Sequence, residues 1–285
     1  MNILNSWIFW VIVYLISALV FAQSFKKANR NMKDAGSLTI LLEVFTALFA
    51  VLFIPLFKIN FPSDINIYLT LLVVVIIYAI TDRLNIEARY GLEPSTFSML
   101  KQLSTVFLII LGIVFMHESA SLLKIIGIVL IIFSNFLLTF EKGKIVINKY
   151  FVMSFISNFL FAVAMLINVG ISDNFNLAIY TIITVSIPSL LIFIFECHSF
   201  IELKREFKLY DRKLFLLSAF TWAIMLISSV RAYQLGDIVL VAPLLALTSI
   251  MNAIYEVVIN KDRKKFVLKV ISAVLIVIGV LLIKM

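Results

Sequence analysis

Ionisable side chains inside apolar segments are the residues of this sequence with the clearest chemical potential. Glu43, Lys101 and Arg231 each interrupt a long apolar run, and Glu256 lies near the end of another. A charge at the centre of a membrane helix costs ~2.5–3.5 kcal/mol on insertion scales, so each of these residues is a candidate for binding or proton transfer. Glu43 can carry a coupling proton, while Lys101 and Arg231 can contact a carboxylate or a phosphate.

Each of these charges also has a structural alternative. Glu43 and Lys101 are expected at similar depth, about 8–10 Å into the membrane, where an ion pair would tie their helices together. Arg231 has no acidic residue three or four positions away in its segment, so it is either an anion contact or gate, or an interfacial anchor. Glu256 either joins Glu43 and Lys101 or extends to the interface near Lys261.

Uncharged polar and aromatic residues form a second set of candidates. One helical face around Lys101 holds four polar residues at spacings of three and four, Ser95, Ser98, Gln102 and Thr105. We expect the following residues to line a cavity, with packing or lipid contact as the alternative for each single aromatic side chain: Tyr78, Ser98, Gln102, Trp222, Tyr233, Asn252 and Tyr255.

Membrane-spanning helices are the elements that must hold these residues. With 63% hydrophobic residues, 14% charged residues and a mean hydropathy of +1.12, the chain of 285 residues has more apolar surface than one water-soluble core can bury. Its long, continuous apolar runs fit helices of ~20 residues better than the ~10-residue alternating strands of a membrane barrel. The sequence therefore predicts an all-α integral membrane protein. Ten spans are predicted, at about 4–22, 38–57, 66–89, 95–116, 122–140, 151–170, 176–195, 214–233, 238–259 and 266–283.

The ten predicted spans divide into two groups of five at the basic link near Lys144, giving halves 1–143 and 144–285. Ala88 and Glu118 recur as Ala232 and Asp262 at the same spacing. Because five is odd, two equivalent halves must cross the membrane in opposite senses. This is the inverted-repeat design of many secondary transporters.

The hairpin between predicted spans 8 and 9 has the pattern Ala-x3-Gly-x5-Ala-Pro, at Ala232, Gly236, Ala242 and Pro243. This pattern resembles the EamA-type half of the drug/metabolite transporter superfamily, and Glu118 followed by Gly127 is similar to the end of the family's first half. The resemblance implies ten helices in two inverted five-helix repeats, with cavity walls formed by spans 3, 4, 8 and 9. It also implies transport of a small solute.

The basic residues predict an orientation. Most of the 24 lysines and arginines lie in or beside the links that follow odd-numbered spans. By the positive-inside rule these links face the cytoplasm and both termini face outward. The resemblance favours the opposite arrangement, with both termini inside. The first apolar segment lacks a basic start and a cleavage pattern, so we interpret it as a retained span.

Several classes of function lack their sequence signatures. His117 has no second histidine at metal-ligand spacing, the single Cys197 cannot form an internal disulfide, and no glycine-rich nucleotide or nucleophile motif occurs. No enzyme activity, metal or cofactor is therefore predicted. The net charge of +8 is attributed to topology and to anionic lipid headgroups rather than to nucleic acid.

The combined pattern favours a secondary transporter in a bacterial cytoplasmic membrane that moves an anionic or zwitterionic metabolite, such as an amino acid, by alternating access. A coupling proton at Glu43 is a candidate partner, besides the solute and the membrane lipids. Two alternatives stay open: a proton-coupled exporter of cationic drugs, and a membrane scaffold or lipid-handling subunit without transport. No oligomeric state is predicted.

Overall fold

A computed structural model describes residues 3–29, 31–91, 100–101, 103–115, 117, 121–139 and 149–245, and short stretches at 247–248, 251–252, 254–255, 271, 274–275, 278–279 and 281–282. Within these residues every regular element is helical, which confirms the predicted all-α class. The described residues form ten α-helices, in the order α1 (Trp7–Ala28), α2 (Ala35–Ala50), α3 (Ile65–Gly91), α4 (Leu103–Phe115), α5 (Leu122–Thr139), α6 (Lys149–Ser172), α7 (Leu177–Phe195), α8 (Phe200–Phe207), α9 (Arg212–Leu235) and α10 (Ile238–Leu245). Two 3₁₀ turns, Ile3–Asn5 and Val51–Leu56, precede α1 and extend α2.

Six of the described helices are long and apolar enough to cross a membrane: Trp7–Phe25, Ala35–Leu56, Ile65–Asn85, Lys149–Ser172, Leu177–Phe195 and Arg212–Leu235. They coincide with predicted spans 1–3 and 6–8. The helices α4, α5 and α10 lie within predicted spans 4, 5 and 9, and only isolated residues of predicted span 10 are described. The chain is thus a multi-pass membrane protein.

Polar residues lie inside the helix bundle, and apolar residues cover its outside. On α3, the exposed side chains follow helical spacing and form one lipid-facing stripe: Leu69, Leu72, Val73, Ile76 and Ile80. Serine, threonine and asparagine side chains are buried at helix contacts instead. Ser218 of α9 donates to Ser24 of α1 at 2.8 Å, and Thr46 of α2 donates to the Ala219 carbonyl at 3.3 Å. Small polar residues of this kind let membrane helices approach closely.

The helices pack in a definite set of pairs. The most extensive contacts join α1 to α9, α3 to α6 and α2 to α7. Further contacts join α2 to α9, α3 to α7, α4 to α6, α1 to α10 and α4 to α10. The first five helices therefore pack mainly against the helices that follow residue 149, so the interior of the bundle lies between the two parts of the chain.

Two ends of the bundle are distinguished by the course of α2. The Asp34 end holds the start of α2, the end of α7 and the short helix α8. The Phe57 end holds the end of the Val51–Leu56 turn, the start of α7 and the end of α9. Asp34 caps α2 by accepting from the Ser37 amide at 2.7 Å. The α8 helix, which lies in the basic link between predicted spans 7 and 8, begins with a capping box formed by Ser199 and Glu202.

Candidate functional site

A buried carboxyl pair lies at the centre of the candidate site. Glu43 is only 2% exposed on the α2 face that also holds Thr39 and Thr46, and its carboxyl group interacts electrostatically with that of Asp82 on α3. Like charges repel strongly where there is little water, so two neighbouring carboxyl groups are suited to sharing a proton. The exposed Lys101 acts electrostatically on Asp82 as a positive charge.

The polar face of α3 continues from this pair along the helix. Tyr78, Asp82 and Asn85 are spaced at i, i+4 and i+7, so they share one face. The Asn168 amide of α6 donates to the Tyr78 hydroxyl at 3.1 Å, and Ser157 of α6 donates to Asn85 at 2.9 Å. This row of groups lies between α3 and α6, next to the carboxyl pair. It can hold a polar solute or pass a proton between oxygen atoms.

Four of these residues are not among the predicted site residues: Asp82, Asn85, Ser157 and Asn168. The sequence around Asp82 has the composition of a self-neutralising helix end, because Arg83, Glu87 and Arg89 follow it closely. The spacing of Tyr78, Asp82 and Asn85 was the sequence signal that marked its face. Asn168 had no comparable signal, since its partner is 90 positions away in the chain.

The predicted residues of α9 and beyond are divided between packing and polar contacts. Trp222 packs against Phe21 of α1, with ring centroids 5.5 Å apart. Tyr233 is buried within electrostatic range of Tyr78. Asn252 accepts a hydrogen bond from Gln23 at 3.0 Å. Three predicted residues lie outside the part of the chain whose side chains are described: Ser98, Gln102 and Glu256.

Arg231 lies apart from the carboxyl pair, at the Phe57 end. Its Nη1 donates to the Gln234 side chain at 3.0 Å, and Gln234 in turn donates to Ser172 at 2.8 Å. Its Nε is buried and has no hydrogen-bond partner among the described residues. The guanidinium lines a cavity of about 160 Å³ together with residues of the Ile3–Asn5 turn, Trp10, Leu56 and Phe57.

The Asp34 end holds a cluster of ionisable groups outside the membrane-spanning segments or at their borders. Arg83 of α3 contacts Glu196 at the end of α7, and Glu196 lies 3.1 Å from the His198 ring, whose other nitrogen is 3.8 Å from Asp34. Burial alone would raise the pKa of Asp34, but hydrogen bonds from Ser37 and the nearby histidine outweigh burial and hold this pKa below its ordinary value of 3.8.

Close backbone approach makes this cluster compact. A side chain at Gly36, in the first turn of α2, would meet Glu196 and His198, each 2.5 Å from the position of its Cβ. In the described part of the chain, no group of three or more His, Cys, Asp or Glu side chains is arranged to hold a metal ion. The cluster therefore joins helix ends through charge.

The chain is similar to known proteins in sequence and in fold. Residues 6–140 match the model of the EamA-like transporter family, which confirms the resemblance seen in the sequence. No curated protein matches the chain. Among 29 matching solved chains, one titled "Crystal structure of protein" aligns with 97% of this chain and 98% of its own length, at a TM-score of 0.70 and 11% identity. At that identity the likeness shows a common fold.

Proposed function

Since residues 6–140 match the model of the EamA-like transporter family, we propose that the protein is a secondary transporter of small metabolites, with two five-helix halves at residues 1–143 and 144–285. The family match is the observation on which this proposal rests. The halves rock against each other and expose a central site to one side of the membrane at a time. The membrane is proposed to be a bacterial cytoplasmic membrane.

The pattern of helix packing supports the two-repeat arrangement. If α1, α2, α3 and α4 correspond to α6, α7, α9 and α10, then the α1–α9 contact corresponds to the α3–α6 contact, and α2–α9 corresponds to α3–α7. The α1–α10 and α4–α6 contacts correspond in the same way, while α2–α7 and α4–α10 join equivalent helices. An approximate twofold axis between two similar halves produces this set of pairs.

The charges near the interior suggest the solute and its coupling. Lys101 and Arg231 favour an anionic or zwitterionic solute, such as an amino acid. The Glu43–Asp82 pair is suited to sharing a proton, and a solute or conformational change that separates the two carboxyl groups would change how firmly this proton is held. We therefore propose proton coupling at this pair.

The same carboxyl pair favours one alternative, a proton-coupled exporter of cationic drugs. In that mechanism, a cation and a proton compete for Glu43 and Asp82. A scaffold or lipid-handling role, as the further alternative, would leave the carboxyl pair with a structural task only. The solute that crosses the membrane, and its dependence on the proton gradient, distinguish these functions.

Purified protein in liposomes tests the proposal. We expect uptake of an amino acid or a related anion that responds to an imposed pH gradient, and at least a tenfold loss in the Glu43→Gln and Asp82→Asn variants. The matched control is Glu202→Gln, which removes an exposed carboxylate from α8. Flux that survives both interior substitutions and Lys101→Ala would exclude the charged site. Flux only of cationic drugs would favour the exporter, and absence of flux for every metabolite and drug would favour the scaffold.

The orientation is a separate proposal, in which the Asp34 end faces the cytoplasm and both termini face outward. Cys197 is the only cysteine of the chain, and it is exposed at the Asp34 end. A membrane-impermeant maleimide should therefore label the protein only after spheroplasts are permeabilised. Ser63 is exposed at the Phe57 end, so the control Cys197→Ser/Ser63→Cys should react in intact spheroplasts. The reverse labelling pattern would assign the Asp34 end to the outside.

A further inference from the structure

The cavity at the Phe57 end is lined by a cationic group, two aromatic rings and other polar and apolar atoms. Arg231 contributes its guanidinium, Trp10 and Phe57 contribute aromatic rings whose centroids are 6.0 Å apart, and two leucines and Asn5 complete the lining. The indole nitrogen of Trp10 donates to the Leu4 carbonyl at 2.8 Å. This bond fixes the Ile3–Asn5 turn over the cavity, so the turn forms one of its walls.

The charge of Arg231 is not balanced by the protein in this region. Gln234, which accepts from the guanidinium, and Ser172, which accepts from Gln234, are both neutral, and no acidic side chain of the described residues lies within ion-pair distance of Arg231. Its Nε is buried without a partner. Arg231 is only partly buried, but its Nε has lost water without gaining a hydrogen-bond partner among the described residues, which is costly for a charged group. A bound anion would remove this cost.

The size and lining of the cavity restrict the anion. An apolar cavity of about 150 Å³ accommodates benzene, and the present cavity of about 160 Å³ has a comparable volume. A guanidinium matches the geometry of a carboxylate with two parallel hydrogen bonds. The aromatic walls favour an apolar body over a polyhydroxylated one.

We propose that this cavity binds a small organic monocarboxylate, with its carboxylate on Arg231 and its apolar body against Trp10 and Phe57. Gln234 is a positioning residue, because its side-chain oxygen holds one nitrogen of the guanidinium and leaves Nε directed elsewhere. The inference that this carboxylate is a transported solute rests on the proposed function. Binding itself does not, because the cavity lies at one end of the bundle and needs no alternating access.

Thermal unfolding of the full-length protein in detergent tests the binding site, with benzoate as the probe and benzamide as its neutral counterpart. A ligand that binds only the folded protein stabilises it by RT ln(1 + [L]/Kd), so Tm rises with the logarithm of the ligand concentration above Kd. We expect this concentration dependence for benzoate and no stabilisation by benzamide. Loss of a charge-assisted pair should weaken benzoate binding on the order of tenfold or more in Arg231→Met. Without benzoate, this variant should unfold close to the wild-type Tm, because Arg231 is partly exposed and its hydrogen bond to Gln234 lies near the surface of the bundle end.

Two further variants separate charge from position. Arg231→Lys keeps the charge but cannot form the two parallel hydrogen bonds of a guanidinium, so it should retain weak binding. Gln234→Leu should weaken binding less than Arg231→Met does. Equal stabilisation by benzamide, unchanged benzoate binding in a folded Arg231→Met variant, or no effect of benzoate on the wild type would each overturn the proposal. Benzoate flux in liposomes is measured separately. Binding without flux of any solute would contradict the transport function and leave the binding site intact.

Discussion

The helices α2 and α7 are joined at both ends, but by different chemistry. At the Phe57 end, the uncharged Asn176 is fully buried and donates its amide to the carbonyls of Ile54 and Phe57 at 3.0 and 2.9 Å. At the Asp34 end, the junction consists of Glu196 and His198 beside Asp34, with Arg83 attached from α3. One helix pair thus has a neutral, buried joint and a charged, partly exposed joint.

The difference indicates which joint can open at low cost. Buried amide–carbonyl bonds leave unpaired polar groups when they break, so their loss is expensive. At the other end, the Arg83 and Glu196 side chains are 46% and 26% exposed, and water can replace their contacts. We expect the Phe57 joint to persist through a transport cycle, whereas the Asp34 joint separates.

The largest expected effect is at Asn176. Its side-chain oxygen also accepts from the amides of Ala178 and Ile179, so Asn176→Ala removes a helix cap and takes one donor from each of the two carbonyls, of which the Ile54 carbonyl keeps the Phe57 amide. We expect a loss of roughly 2–4 kcal/mol in unfolding free energy, measured by denaturation in detergent. Asn176→Asp keeps the capping oxygen but directs a buried carboxylate oxygen at the two carbonyls, so it should cost at least as much as Asn176→Ala.

The matched control is Asn174→Ala in the same loop. Its amide donates only locally, to the Ile171 carbonyl at 3.1 Å, so its removal should cost much less. Equal losses for the alanine variants at positions 174 and 176 would mean that the joint between α2 and α7 adds nothing beyond loop structure.

A smaller, salt-dependent effect is expected at Glu196. Glu196→Gln removes the charge that faces Arg83 and His198, and we expect a loss of ~0.5–1 kcal/mol at low salt because the groups are partly exposed. The difference from wild type should shrink in 1 M NaCl, where screening is strong. The Asn176→Ala effect should persist in the same buffer. A Glu196→Gln effect that is large and independent of salt would remove the distinction between the two joints.

The fold was more predictable from the sequence than its joints. Long apolar runs identified the spans of α1, α2, α3, α6, α7 and α9, because lipid requires ~20 consecutive apolar residues. The short helix α8 was treated as a link, although Ser199 and Glu202 have capping-box spacing. Its eight residues are too few and too charged for a hydropathy window.

The candidate site was predictable only in part, for a physical reason. Glu43 was identified because an isolated charge in an apolar run is conspicuous, but Asp82, which interacts with it electrostatically, lies in a charged helix end that gave no such signal. Asn176 resembled an ordinary loop residue, since its partners lie 119 and 122 positions earlier. Sequence periodicity reveals the face of one helix, whereas these contacts depend on how separate helices pack.

The smallest effect, and the most specific to the charged joint, is the pH dependence contributed by Asp34. Because the pKa of Asp34 in the folded protein lies below 3.8, its contribution to stability is full above that value and disappears as pH falls through the lower, folded pKa. Asparagine also caps helices well, so Asp34→Asn should keep the cap and lose only this charge-dependent part. The variant should therefore be less stable than wild type at pH 7, by less than Glu196→Gln, and the difference should diminish toward pH 3. Parallel curves of Tm against pH would show that the charge of Asp34, facing His198, Glu196 and Glu202, does not stabilise the joint.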